Sequence, residues 1–307
     1  MENTIIAVFC YKRAAKLRRC IEALLQNPEC CNMEIVFFSD GPKGEADKEG
    51  VLATRDYISQ LTGFKKIHTQ FREQNLSTGP NFQQGLQWLS HHYQRFIVIE
   101  DDLVVAPNYL KYMLDALDFY QAQENVFSIS GFTFPLETTI YRFDTVMHNR
   151  FCCYGWASWA NRVKDVVWNE AVLAQWLYHT PHFKTALDRE GRDLSRILDK
   201  QLTGKISTWD IQMQVQVHRN NMKVVYPVLS KAFNIGFDNE STNTFGIDYL
   251  KTNVDPGSQR VFRFCSAAID NPRLQAQLRK PYSLPALATR KILNTLIKLT
   301  GRIQKAS

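Results

Sequence analysis

Continuous apolar runs in the first hundred residues constrain the fold of this chain more than any other feature. Three of them, at 4–10, 34–39 and 95–100, each end in a cluster of polar residues. Stretches with helical spacing alternate with these runs, at 16–25, 47–61 and 81–93. Buried apolar strands that alternate with helices are typical of a parallel sheet covered on both faces. The sequence therefore predicts an α/β fold with a doubly wound, mostly parallel sheet.

The polar clusters that follow the three runs are the first candidates for a site. They lie at 11–13, 40–42 and 100–102. In open sheets of this kind, ligands bind beyond the carboxyl ends of the strands. We therefore expect the three clusters to meet in one crevice.

The cluster Glu100-Asp101-Asp102 carries the most chemical information. Adjacent carboxylates repel one another unless a cation or hydrogen-bond donors compensate their charge. Mg²⁺ typically takes one or two carboxylates together with substrate phosphates, and a nucleotide diphosphate supplies such oxygens. A metal here would assist a departing diphosphate as a Lewis acid. The alternative is a solvated acidic turn.

Other candidates have equally plain structural alternatives. Asp40 is a candidate ligand of a base or ribose, or else a turn residue before Gly-Pro. Arg13 is a candidate ligand of phosphate or base, or else a surface residue beside a helix. Asp210 is a candidate general base for an attacking hydroxyl, or else a helix N-cap. Trp209 beside it is a candidate platform for a sugar ring.

Five blocks of the sequence resemble the N-acetylglucosaminyltransferase I family. The most specific block is 98–109, with Glu-Asp-Asp followed by apolar residues and Ala-Pro. The other four blocks follow the family order around it, and they are 8–20, Ser39-Asp40, Gly155-Trp156 with 157–159, and Trp209-Asp210. The segment 224–246 also resembles the one that leads to the family's donor-covering loop.

This resemblance implies a fold, an activity and residue roles. It implies a GT-A (Rossmann-like) domain and an inverting transfer from a UDP-sugar, UDP-GlcNAc in that family, with Mn²⁺ or Mg²⁺. Asp102 would bind the metal directly, and Asp210 would be the catalytic base. The remaining implied contacts, with the donor, are those of Arg13, Asp40, Glu100, Asp101 and Trp209. Residues 72–85 look more like bacterial family 2 glycosyltransferases, so we interpret the chain as a bacterial-type relative.

Composition supports one catalytic unit with an appendage. The chain has 307 residues, 45% of them hydrophobic, and no Gly/Ser/Pro-rich linker. We predict a domain at 1–280, with a nucleotide-binding half at 1–130 and an acceptor and catalytic-base half at 131–280. Residues 281–307 would form a basic C-terminal helical appendage. Residues 234–246, rich in Asn, Ser, Thr and Gly, are a candidate lid over the donor or an ordinary surface loop.

The net charge of +7 favours polyanionic partners without choosing among them. The segment 284–305 is basic and amphipathic, so it either lies on an anionic membrane or packs on the protein or a partner. A lipid-linked acceptor would suit the first alternative, and a glycan is the other acceptor that we expect. We see no secretion signal and no apolar stretch of spanning length, so we predict a cytoplasmic protein, with peripheral contact at the inner membrane face through 284–305.

Two other classes of function stay open. A sugar-phosphate nucleotidyltransferase would also combine such a sheet with acidic metal ligands, but 10–19 lacks the glycine-rich loop that it would need. A non-catalytic polyanion or membrane-surface binder would depend on net charge. We expect no nucleic-acid partner, because Lys and Arg are dispersed before residue 280 and no recognised motif occurs.

Overall fold

A computed structural model describes residues 4–236 and 251–300 of the chain. Its strands are β1 (Thr4–Cys10), β2 (Glu34–Ser39), β3 (Lys66–Phe71), β4 (Arg95–Glu100), β5 (Leu103–Val105), β6 (Val126–Ser130), β7 (Thr145–His148), β8 (Trp156–Trp159), β9 (Lys223–Pro227) and β10 (Ala232–Asn234). Its α-helices are α1 (Ala14–Leu25), α2 (Glu45–Ser59), α3 (Thr78–His92), α4 (Tyr109–Tyr120), α5 (Ala160–Val163), α6 (Glu170–His179), α7 (Phe183–Leu187), α8 (Leu194–Leu202), α9 (Asp210–Arg219), α10 (Pro272–Arg279) and α11 (Leu284–Thr300).

Eight of these strands form one central sheet in the order β3-β2-β1-β4-β8-β6-β9-β7. The pairs β3-β2, β2-β1, β1-β4 and β6-β9 are parallel, while β8 and β7 run antiparallel to their neighbours. A second sheet pairs β5 with β10 in antiparallel fashion. The predicted α/β class, with a mostly parallel sheet flanked by helices and a C-terminal helix, is confirmed.

The first half follows the sequence pattern closely, because its strands are buried on both faces. Residues 5–10 of β1 and 35–39 of β2 are all buried. The bounds predicted for β4 match the structure. Helix α3 begins three residues before the predicted start at Asn81, since Pro80 is compatible with a first helical turn.

The second half contains elements that the periodicity did not resolve. Strands β7 and β8 have only four residues each, too few for a pattern to emerge. Helices α6, α7 and α8 form an insertion between β8 and α9 with its own small core. Its buried residues are Leu173, Leu177, Phe183, Leu187, Leu194, Leu198 and, from α9, Ile211 and Val215.

A stack of aromatic rings joins the two halves. Phe82 of α3 stacks on Phe9 of β1 at a centroid distance of 3.8 Å, and on Trp209 at 4.1 Å. Trp209 in turn lies 5.8 Å from Trp156 of β8. Because these rings are buried, the stack fixes the start of α9 relative to the sheet.

Helix α11 carries half-buried residues on one side, at 286, 287, 290, 294 and 297, and exposed residues on the other. Across the described residues, we find no helix with the length and apolar character needed to cross a membrane.

Truncation of the central ring tests the stack. We expect Phe82→Ala to lower the free energy of unfolding by about 3–5 kcal/mol, because a buried aromatic side chain leaves a cavity between two others. Phe119→Ala is the matched control, since Phe119 is 45% exposed, and we expect it to cost about 1 kcal/mol. Urea unfolding followed by fluorescence measures both. Equal losses in the two variants would contradict the assigned role of the stack.

A buried histidine predicts acid sensitivity. Burial, with Arg279 and Arg150 nearby, lowers the pKa of His148 to about 3. The unfolded chain therefore takes up a proton below about pH 6.5 that the folded chain does not, and stability falls as the pH falls. We expect His148→Gln to remove about 2 kcal/mol of the stability lost between about pH 7.5 and 5. Unfolding at several pH values measures this, with His91→Gln, at an exposed position, as the control; parallel pH profiles for wild type and His148→Gln would refute it.

Candidate functional site

The three polar clusters meet at the carboxyl edge of β2, β1 and β4, as the sequence predicts. The backbone N–H of Asp40 donates to the carbonyl of Cys10 at 3.0 Å, and that of Asp101 donates to the carbonyl of Phe9 at 3.1 Å. These bonds continue the parallel pairing by one residue beyond the strands. They hold the residues after all three strands in a single crevice.

Arg13, directly before α1, is the main cation of this crevice. Its guanidinium forms ion pairs with Asp101 and, at 3.0 Å, with Asp102 Oδ2. The Asp101 carboxylate also accepts the backbone N–H of Tyr11 at 3.4 Å. The two carboxylates outweigh burial and raise the pKa of Arg13 above its usual value. One guanidinium thus faces three adjacent carboxyl groups.

This single cation does not offset the cost of gathering the carboxyl groups. Burial, followed by the charges of Asp102 and Asp101, raises the pKa of Glu100 well above its usual value. Burial also raises the pKa of Asp101 to about 6, although Arg13 opposes the change. The crevice therefore favours an added proton or an added cation.

Asp102 is enclosed by the strand that pairs with β5. Asn234 Nδ2 donates to Asp102 Oδ1 at 3.3 Å, and the backbone N–H of Ile235 donates to the carbonyl of Asp102 at 2.8 Å. A Cβ on Gly236 would lie 2.3 Å from Asp102 Oδ2. Only glycine therefore permits this close approach of the chain to the carboxylate.

The predicted lid at 234–246 begins at this contact, and its residues 237–246 lie outside the described residues. The chain on both sides of the gap is fixed. Lys231 and Asp255 form a buried ion pair, and Ser230 bridges to Val254.

Asp40 is buried and largely occupied by its own chain. Its Oδ1 accepts the backbone N–H groups of Gly41 at 2.9 Å and Leu76 at 2.8 Å, and its Oδ2 accepts Asn75 Nδ2 at 3.1 Å. Burial nevertheless raises the pKa of Asp40. The carboxylate thus anchors the turn before α3, where Ser77 has a φ of 68°. Its Oδ2 still has a lone pair for one more donor.

Asp210 reaches the same crevice from the second half of the chain. It is close enough to Glu100 to contribute to the raised pKa of that group. The Thr208 hydroxyl donates to Asp210 Oδ1, and a Cβ on Gly79 would lie 3.1 Å from the Thr208 carbonyl oxygen. The N-cap alternative for Asp210 is wrong, because Trp209 holds that position and Asp210 is the first helical residue.

The ring of Trp209 does not occupy the exposed position that a platform for a sugar ring requires. Its ring is 3% exposed and is stacked between Phe82 and Trp156. Both faces are covered by protein, which leaves no face for a sugar in this conformation. The structure gives Trp209 a positioning contribution: it fixes the backbone from which Asp210 projects.

Cys153, which the sequence analysis does not single out, lies near enough to the candidate site to be affected by its charges. Burial, followed by the charges of Asp210 and Glu100, raises the pKa of its thiol well above the usual value. In the sequence, only its position just before the Gly155-Trp156 block could have indicated that Cys153 lies near the site. The sequence places Asn234 in a polar loop and gives no indication of its hydrogen bond with Asp102.

The residues present fit a hard divalent cation better than a soft one. The crevice offers carboxylate oxygens that are only partly neutralised by Arg13, with Asp102 at its centre. In the described ranges, no group of three or more His, Cys, Asp or Glu side chains could hold a metal by itself. A metal bound here would therefore need oxygen atoms from a ligand as well as from Asp102.

Comparisons with solved structures give distant likenesses. One is the mannosyltransferase PcManGT from Pyrobaculum calidifontis, in complex with GDP-Man and Mn²⁺, at 11% identity over 70% of this chain and 68% of that one, with a TM-score of 0.41. Another is TarS of S. aureus, at 10% identity over 75% of this chain and 37% of that one, with a TM-score of 0.43. TarS 1–349 in complex with UDP-GlcNAc matches at 13% identity over 45% and 35%, with a TM-score of 0.31. The chain thus spans little more than a third of the TarS structures in these two matches.

Comparison with curated proteins gives no significant match. Comparison with family models gives one match, to a model described as Glycosyl transferase family 2, over residues 5–150. The matched range contains β1 to β7 and every candidate residue up to Asp102. It agrees with the predicted GT-A fold and with the bacterial-type likeness of residues 72–85. The finer resemblance to the N-acetylglucosaminyltransferase I family stays a prediction. The matched range thus covers the half of the chain that holds the three polar clusters, and Asp210 lies outside it.

Proposed function

We propose that the chain transfers a sugar from a nucleotide-diphosphate sugar, a UDP-sugar such as UDP-GlcNAc, to a hydroxyl group of a glycan or lipid-linked acceptor. One observation carries the proposal. The charge of Asp210 acts on Glu100 and helps to raise the pKa of that carboxyl group, although more than a hundred residues separate the two in the chain. A candidate base thus stands next to a candidate diphosphate site, inside a fold whose first half matches a glycosyltransferase family.

Asp210 would act as the general base. Its carboxylate would accept the proton of the acceptor hydroxyl while the acceptor oxygen forms a bond to the anomeric carbon. The bond from that carbon to the phosphate oxygen breaks, and its electron pair leaves with the nucleoside diphosphate. Attack opposite the leaving group inverts the anomeric centre. Thr208, which donates to Asp210 Oδ1, would hold the carboxylate in place.

The donor would lie along the crevice between 11–13, 40–42 and 100–102. Arg13 would interact with the nucleotide, and Asp40 would accept one donor from the base at its Oδ2. Glu100 and Asp101 would contact the ribose or the sugar. Asp102 would hold Mn²⁺ or Mg²⁺, which when bound supplies Lewis-acid stabilisation of the charge that develops on the leaving diphosphate.

The nucleotidyltransferase alternative gains no support from the crevice. The loop after β1 projects the side chains of Tyr11, Lys12 and Arg13 into pairs with Asp47 and with the carboxyl cluster. A glycine-rich loop would instead present backbone N–H groups to phosphates.

Loss of the base should separate turnover from binding. We expect Asp210→Asn to lower sugar transfer about 10²–10⁴-fold, because the acceptor proton loses its acceptor. We expect the shift in melting temperature caused by the donor to be kept. Turnover of UDP-sugars and GDP-sugars, with the thermal shift for each, measures both effects. Asp56→Asn, at an exposed position of α2, is the control. Full activity in Asp210→Asn would remove the assigned base.

Loss of the proposed metal ligand, Asp102, should weaken binding of the donor with its metal. A donor with Mn²⁺ stabilises the folded state by about 2.7 kcal/mol at a hundred times its dissociation constant. We expect EDTA to remove most of this stabilisation in the wild type, and Asp102→Asn to remove it with Mn²⁺ present. Differential scanning fluorimetry measures the shift, again with Asp56→Asn as the control. An equal shift in Asp102→Asn and the wild type would show that Asp102 does not hold the metal.

A further inference from the structure

The positive charge of this protein is concentrated at one end of the chain. Residues 271–307 contain eight Lys and Arg and no Asp or Glu. The other 29 basic residues are matched by all 30 acidic residues, so the rest of the chain is close to neutral. The excess of +7 thus belongs to the segment that contains α10 and α11. Within it, Arg273 and Arg279 pair with Glu137 and Glu190, while Lys291 is exposed on α11.

The same segment exposes a row of large apolar side chains. Its members lie on one side of α11, within about 100° of one another around the helix axis, and their exposed fractions are Ile292 60%, Leu293 38% and Leu296 50%. Successive residues of an α-helix are 100° apart, so Ile292 and Leu296 lie one above the other, with Lys291 at the flank. Elsewhere in the described ranges, exposed apolar residues of this size stand singly or in pairs in the sequence.

The helix is attached to the protein at its start and keeps this side turned outward. The backbone N–H of Arg192 donates to the carbonyl of Tyr282 at 3.1 Å, and the Arg150 guanidinium lies 3.4 Å from the centre of the Tyr282 ring. Arg290 Nη2 donates to the carbonyl of Pro281 at 3.1 Å, on the opposite side of α11. The apolar row therefore faces away from the protein, and the turn before α11 is bound to Arg192 of the α6–α8 insertion.

We propose that α11 docks this protein on an anionic lipid surface, with Ile292, Leu293 and Leu296 entering the interface. An apolar helix face flanked by Lys and Arg suits a surface that offers both acyl chains and negative headgroups. At 17 residues the helix lies along such a surface and does not cross it. A second copy of this chain fits less well, because the partner would bring the same excess of positive charge.

Vesicle binding by the full chain tests the proposal. We expect the wild type to sediment with vesicles of phosphatidylglycerol and phosphatidylcholine, and much less with phosphatidylcholine alone. We expect Ile292→Ser with Leu296→Ser to weaken the partitioning about tenfold or more, because the apolar contact is lost. We expect Lys291→Glu to weaken it about fivefold or more, and added salt to reduce wild-type binding.

Matched control variants show whether a loss of vesicle binding is specific to α11 or follows any change of an exposed residue. Leu52→Ser changes a single apolar side chain of similar exposure, 59%, and Lys66→Glu changes an exposed lysine of β3. We expect both to bind vesicles as the wild type does, and all variants to keep their donor-induced thermal shift. Equal vesicle binding by the α11 variants and the controls would overturn the proposal. So would an oligomer on gel filtration that the α11 variants disrupt without any vesicle binding. Neither readout depends on sugar transfer, so the docking and the proposed function can fail separately.

Discussion

The ion pairs of Arg13 with Asp101 and Asp102 are the contacts on which the site depends. Three adjacent carboxyl groups at the end of a buried strand would repel one another and drive the strand ends apart. Arg13, between β1 and α1, offsets part of that charge and ties the first strand to the fourth. Burial and the negative charge that Arg13 does not offset raise the pKa values of Glu100 and Asp101. Such an arrangement favours an added proton or an added cation.

The second half of the chain completes the crevice through packing. The stack of Phe9, Phe82, Trp209 and Trp156 spans β1, α3, the start of α9 and β8. Since every ring is buried, the stack sets the distance between the sheet edge and Asp210 more firmly than a hydrogen bond would. The same stack explains why Trp209 has no free face. Stacking on protein and stacking on a sugar are alternatives, and here the protein occupies the ring.

The basic C-terminal segment adds a surface to this arrangement. Tyr282 connects it to Arg150 and Arg192, beside the insertion whose core includes Ile211 and Val215 of α9. The base of α11 is thus attached to the second half of the chain. The distribution of charge, near neutral before residue 271 and strongly positive after it, agrees with this division.

The sequence by itself determined the parallel part of the sheet and the meeting of its three polar clusters. Strands such as β1, β2 and β4 are buried on both faces, so their apolar runs are continuous and their ends are marked by polar residues. The tertiary structure decided which partners those residues have. The contacts of Arg13 with the carboxylates and of Asn234 and Gly236 with Asp102 join positions far apart in the chain. The electrostatic effect of Asp210 on Glu100 does the same. No local periodicity records such contacts, because they depend on how β8, β10 and α9 pack. For the same reason the sequence could mark Trp209 as aromatic and adjacent to Asp210, while only packing could show that its ring is buried.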